Sequence, residues 1–141
     1  MAEQRRTRGL LDTSVVIDLD GVKAEDLPEQ LAVAAVTMAE LAAGPHATAD
    51  PLERARRQER LQRAEATFDP LPFDADAARA YGRVYATVAA TGRKARGRRA
   101  VDLMVAATAV ALQLPLYTRN PANFAGLEGL LDVVSVGAER N

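Results

Sequence analysis

Four stretches of this 141-residue chain carry the residues whose types could do chemistry. Asp12 closes a short apolar run, Gly9-Leu10-Leu11, and is followed by Thr13 and Ser14. Glu40 stands three residues after Thr37. Asp102 comes just after the densest basic run and just before an apolar stretch, Leu103-Met104-Val105-Ala106-Ala107. Thr118 and Asn120 end a later apolar segment. The chain has no cysteine and one histidine, His46, which excludes thiolate metal sites, disulfide frameworks, cysteine nucleophiles and His-rich zinc sites. Little remains for a Ser-His-Asp triad. What is left is oxygen chemistry. Convergent carboxylates suit Mg²⁺, with Mn²⁺ as an alternative, because these hard cations take oxygen ligands and keep several waters. Such a cation lowers the pKa of a bound water and stabilises charge on a phosphodiester under attack.

Each acid also has a plainer reading. Asp12 and Asp102 could favour helix N-termini through the helix dipole. Glu40 could close a capping box with Thr37. Thr13 and Ser14 can cap a helix without Asp12, however, and a carboxylate beside residues 103–107 is costly without a partner.

The elements that must position these groups follow from the hydrophobic pattern. Residues 9–11 read as a strand ending at the cluster Asp12-Thr13-Ser14, and Val15-Val16-Ile17-Asp18-Leu19 as a short helix. The apolar run 31–36 reads as a strand, and a helix follows from Thr37 to Gly44-Pro45. Asp50 and Pro51 open a long charged helix to about residue 66. Residues 68–73, broken by Pro70 and Pro72, suit a short edge strand. Asp74 caps a further helix that ends at Thr91-Gly92. Residues 100–114 form the most apolar helix, with Asp102 in its first turn. Residues 116–118 and 133–136 read as the last strands. Strands alternating with helices predict one three-layer α/β domain over residues 1–141, its core about 8–137, with a mainly parallel sheet flanked by helices. In such a sheet ligands bind beyond the carboxyl ends of the strands, so Asp12, Glu40, Asp102, Thr118 and Asn120 are expected on one rim.

Here the motifs become specific. Leu10-Leu11-Asp12-Thr13-Ser14-Val15-Val16-Ile17-Asp18 resembles the opening motif of PIN-domain ribonucleases, and Thr37-Met38-Ala39-Glu40-Leu41 their second. Asp102-Leu103-Met104-Val105-Ala106-Ala107-Thr108-Ala109 resembles the third, and Leu116-Tyr117-Thr118-Arg119-Asn120-Pro121-Ala122-Asn123-Phe124 the fourth. The chain is most similar to the VapC toxins of type II toxin–antitoxin modules. The resemblance implies a Mg²⁺-dependent endoribonuclease that forms a homodimer and is inhibited by a VapB-type antitoxin. By position it implies Asp12, Glu40 and Asp102 as catalytic metal ligands, with Thr13 or Ser14 and Thr118 placed to orient them and Asn120 placed to orient a water or bind the metal through its carbonyl. The fourth motif departs from the acidic pattern, since Asn120 and Asn123 are amides, which leaves the second metal position open.

With 18 basic and 19 acidic residues, the chain has no general basic coat, so contact with RNA falls to local clusters. The run 93–99 places Arg96, Arg98 and Arg99 beside Asp102, where they can hold RNA phosphate or form a solvated loop. The arginines between 54 and 63 interleave with glutamates and read as a salt-bridged exposed helix. No apolar run approaches a membrane span and no secretory signal is present, so a cytoplasmic protein is expected. A phosphotransfer enzyme using Asp12 as nucleophile fits poorly, because Ser14 stands where its second acid belongs. The stronger rival is a non-catalytic PIN-like protein that binds RNA or an antitoxin.

Overall fold

The computed structural model describes residues 6–93 and 97–137. Among these residues four strands, β1 (Arg8–Leu11), β2 (Gln30–Val33), β3 (Leu116–Thr118) and β4 (Val133–Ser135), form one sheet. Every pairing is parallel and the order is β2-β1-β3-β4. Five α-helices flank it: α1 (Thr13–Ile17), α2 (Ala35–Ala43), α3 (Pro51–Thr67), α4 (Ala75–Ala90) and α5 (Arg98–Leu112). None of them is long and apolar enough to cross a membrane.

Successive strand residues point to opposite faces, and both faces are covered. Leu10, Ala32 and Leu116 pack with α4, α5 and Phe124 on one side. Leu11, Val33 and Tyr117 pack on the other with Val15 and Val16 of α1, Leu41 of α2 and Ala64 of α3. This makes three layers with a core on each side of the sheet. From β1 the chain lays β2 on one flank, then crosses to lay β3 on the other. The crevice between the carboxyl ends of β1 and β3 is therefore the topological switch point, where a ligand has room.

Helix boundaries follow the caps where caps exist. Asp50 accepts from the Leu52 amide at the head of α3, with Pro51 in the first turn. Asp74 accepts from the Ala77 amide at the head of α4, 3.0 Å away. Elsewhere the expected boundaries move. β2 stops at Val33 and α2 starts at Ala35, so residues 35 and 36, expected in the strand, are helical. The strand expected over 68–73 reduces to one bridge, in which Leu71 exchanges backbone hydrogen bonds with Val33 and Ala35. Pro70 and Pro72 have no N–H to extend it. The Thr37–Glu40 capping box does not form: Ala34 is the N-cap, without a side-chain bond, and Thr37 is fully buried inside α2. α1 spans Thr13–Ile17 rather than 15–19. Likewise α5 begins at Arg98, two residues early, which puts Asp102 in its second turn rather than its first.

Candidate active site at the carboxyl ends of the strands

Asp12 leaves β1 straight into the switch-point crevice. Its amide donates to the Tyr117 carbonyl at 2.8 Å, and its own carbonyl accepts from the amides of Val15 and Val16. The backbone here joins β1, β3 and α1. Although Asp12 is the N-cap of α1, its side chain makes no capping bond. The residue is 4% exposed, and its carboxylate turns to two hydroxyls. Ser14 Oγ donates to Oδ2 at 2.9 Å, and Thr118 Oγ1 donates to the same oxygen at 2.8 Å. Each hydroxyl is held in turn by a backbone amide: Arg119 N donates to Ser14 Oγ at 3.1 Å and Asn120 N to Thr118 Oγ1 at 3.0 Å. The hydroxyl protons are thereby directed at Asp12. Its Oδ1 receives no hydrogen bond among the described residues. A buried carboxylate oxygen without a donor is costly, and a cation is the partner that suits it.

Glu40 lies half-buried on α2, and Thr13 Oγ1 donates to its Oε1 at 2.5 Å. The same hydroxyl is 3.1 Å from Thr37 Oγ1. Consecutive residues of one short helix thus serve two carboxylates, Thr13 that of Glu40 and Ser14 that of Asp12. Thr37 belongs to this group as well, which the sequence reading missed because its spacing to Glu40 matched a cap. Burial of a lone hydroxyl in an apolar helix face was the available signal.

Asp102 is half-buried in the second turn of α5. Among the described residues no three acids or histidines are close enough to hold a metal as a cluster. The structure therefore brings Asp12 together with Ser14, Thr118 and the backbone at 119–120, and Glu40 with Thr13 and Thr37. Asn120 is exposed and contributes its backbone amide. It also precedes a 3₁₀ turn, Pro121–Phe124, whose carbonyls are taken by arginines. Arg99 Nη1 donates to the Asn123 carbonyl at 2.7 Å, and Arg93 Nη2 donates to that of Ala122 at 3.3 Å. Arg99, expected to hold RNA, ties the fourth motif to the start of α5. Arg96 and the side chain of Arg98 lie outside the described residues.

An open cleft of about 530 Å³ is lined by Thr13 and Glu40 and by Glu53, Arg57 and Arg60 of α3. Arg57 and Arg56 hydrogen-bond the Glu53 carboxylate and hold its pKa below the ordinary 4.5.

Comparison with known proteins agrees with this geometry. The family model described as PIN domain matches residues 9–128. Ribonuclease VapC5 of Mycobacterium tuberculosis is 38% identical over 128 residues, 89% of this chain and 91% of that protein. Ribonuclease VapC8 of the same species is 36% identical over 102 residues, 72% of this chain and 89% of that protein. Among solved structures, the crystal structure of VapBC-5 from M. tuberculosis, a member of the VapBC family of toxin–antitoxin systems, superposes with a TM-score of 0.80. That match has 36% identity and covers 92% of this chain and 99% of the other.

Proposed function

This chain belongs to the PIN-domain family, among the VapC-type ribonuclease toxins of toxin–antitoxin systems, and from that premise we propose that it is a metal-dependent endoribonuclease. The observation that carries the reading is the Asp12 carboxylate: buried, steered by two fixed hydroxyls through one oxygen, and with the other oxygen undonated among the described residues at the switch point. Asp12 and Glu40 would hold Mg²⁺ or Mn²⁺; Asp102 is the third acid by its place in the motifs, although the described residues do not gather the three into one cluster. When bound, the cation supplies an activated water and neutralises charge on the phosphodiester.

The chain's own residues do the positioning. Ser14 and Thr118 fix the Asp12 carboxylate plane, and Thr13 fixes that of Glu40, so neither acid reorganises when a ligand arrives. Asn120 anchors Thr118 through its amide, and the exposed amide side chain adds a neutral polar group at the rim. Its neutrality, like that of Asn123, lowers the site's negative charge relative to an acid there. With few aromatics, RNA is held by backbone and shape rather than by stacked bases.

As partners we propose an RNA substrate, a VapB-type antitoxin and a second copy of the chain in a homodimer. Purified, antitoxin-free protein incubated with total RNA and Mg²⁺ or Mn²⁺ should produce new RNA ends that EDTA prevents. Asp12→Asn should abolish them while RNA binding persists. Wild-type protein that binds RNA or antitoxin but never cleaves under these conditions would make it the non-catalytic alternative. A monomer by sedimentation would remove the homodimer.

A further inference from the structure

The five arginines of α3 are not equivalent. Arg54 donates to the carbonyls of Pro45 and Thr48, at 3.0 and 2.8 Å. Arg57 donates to the Gly44 carbonyl and to Glu53, each at 2.9 Å. Arg56 shares Glu53, and Arg63 pairs with Asp20 at 3.0 Å. These four pin the segment after α2 or complete surface ion pairs. Arg60 makes no hydrogen bond or ion pair among the described residues, yet it is half-buried rather than extended into solvent. It stands three residues after Arg57 and four before the buried Ala64, on the helix face turned toward the body of the domain. The cleft lined by Thr13 and Glu40 is lined by Arg60 as well.

A cleft that holds the Glu40 carboxylate together with a guanidinium left unpaired among the described residues matches a polyanion that also meets a cation. The carboxylate alone would repel RNA, and Glu53 is already neutralised by Arg56 and Arg57. We infer that Arg60 is a positioning residue for the substrate, binding an RNA phosphate away from the scissile bond and laying the strand along the cleft toward Glu40. This rests on the ribonuclease reading and adds to it a direction of approach across α3. Arg suits the task because its fork meets phosphate oxygens bidentately. An acidic protein segment on the same arginine is the competing occupant, and the test separates the two.

RNA affinity is measured at several salt concentrations in the Asp12→Asn background, for Arg60→Gln, Arg60→Lys and Arg83→Gln. Arg83 is an exposed residue of α4 outside the cleft and removes the same charge. Arg60→Gln should weaken RNA binding about tenfold and lower the salt slope by about 0.7, one phosphate contact on a single strand. Arg60→Lys should recover part of the affinity and Arg83→Gln should lose little. With Asp12 restored, Arg60→Gln should raise KM with little change in kcat, since a remote phosphate contact is made equally in ground and transition states. Unchanged affinity and slope in Arg60→Gln, or an equal loss in Arg83→Gln, would overturn the assignment. So would intact RNA binding in a variant that escapes inhibition by its antitoxin, which would give Arg60 to the protein partner. Wild-type protein that neither binds nor cleaves RNA would overturn the ribonuclease reading along with this one.

Discussion

Thr118 shows how much a single hydroxyl can hold. It donates to the buried Asp12 carboxylate and accepts from the Asn120 amide, so Thr118→Val strips both groups of a partner while conserving shape. Losing a hydrogen bond to a buried charged group costs about 2 kcal/mol, which urea denaturation would register, and Asp12 would lose half its steering. Thr118→Ser keeps the hydroxyl and should keep most of the activity that Thr118→Val loses. Stability lost in Thr118→Ser but kept in Thr118→Val would make the methyl group, not the hydroxyl, the important part. Gly9 is a second position where one atom decides. A Cβ there would overlap the Tyr117 ring and press on Pro28. Gly9→Ala should cost about 1–3 kcal/mol through overpacking, read as a lowered urea midpoint at unchanged slope.

Among the elements, those with local signals are legible in the sequence and those set by tertiary contact are not. α3 and α4 start where Asp50-Pro51 and Asp74 say they should, because a cap acts on amides within three residues. The join of β2 and α2 falls inside an unbroken apolar run, where no residue type marks the change, and the Leu71 bridge settles it from across the chain. The same holds for the arginines after α4. Their charge suggests RNA, but a 3₁₀ turn leaves carbonyls that need donors, and Arg93 and Arg99 supply them. Arg99→Ala should therefore destabilise the fold by about 1 kcal/mol and speed hydrogen exchange in Pro121–Phe124 and the residues after it. A variant with wild-type stability and exchange would return Arg99 to the solvated loop. On α3, Glu53 has its pKa lowered by Arg57 and Arg56. A depressed carboxylate stabilises the folded state above its unfolded value and loses that contribution as pH falls through the folded one. Glu53→Gln should thus flatten the stability profile only on the acid side of about 4.5, leaving neutral pH nearly untouched. A flattening near neutrality would mean that some other group titrates with it.

Taken whole, the molecule depends on a strand order that alternating hydrophobicity cannot state. That strands and helices alternate implies a parallel sheet; that β3 lies beside β1, away from β2, does not follow from any local pattern. Yet this order is what brings Asp12 to Thr118, 106 residues away, and opens the crevice between them. Three layers of apolar packing then hold a carboxylate where one oxygen has no donor among the described residues. A fold that keeps such a group is less stable than it needs to be, and the deficit should be recoverable. Asp12→Asn removes the buried charge while its remaining oxygen still accepts from Ser14 and Thr118. In EDTA the variant should unfold at the same temperature as wild type or a few degrees higher, since about 1 kcal/mol shifts Tm by roughly 3 °C at this size. Added Mg²⁺ should reverse the order. Binding to the native state alone contributes about 2.7 kcal/mol at a hundredfold excess over Kd, and only the wild type has the full anionic site to gain it. Thermal scans of both proteins against Mg²⁺ concentration should therefore cross. Parallel curves, with the variant gaining as much from Mg²⁺ as the wild type, would take Asp12 out of the metal site and leave its hydroxyl network a purely structural joint between β1 and β3.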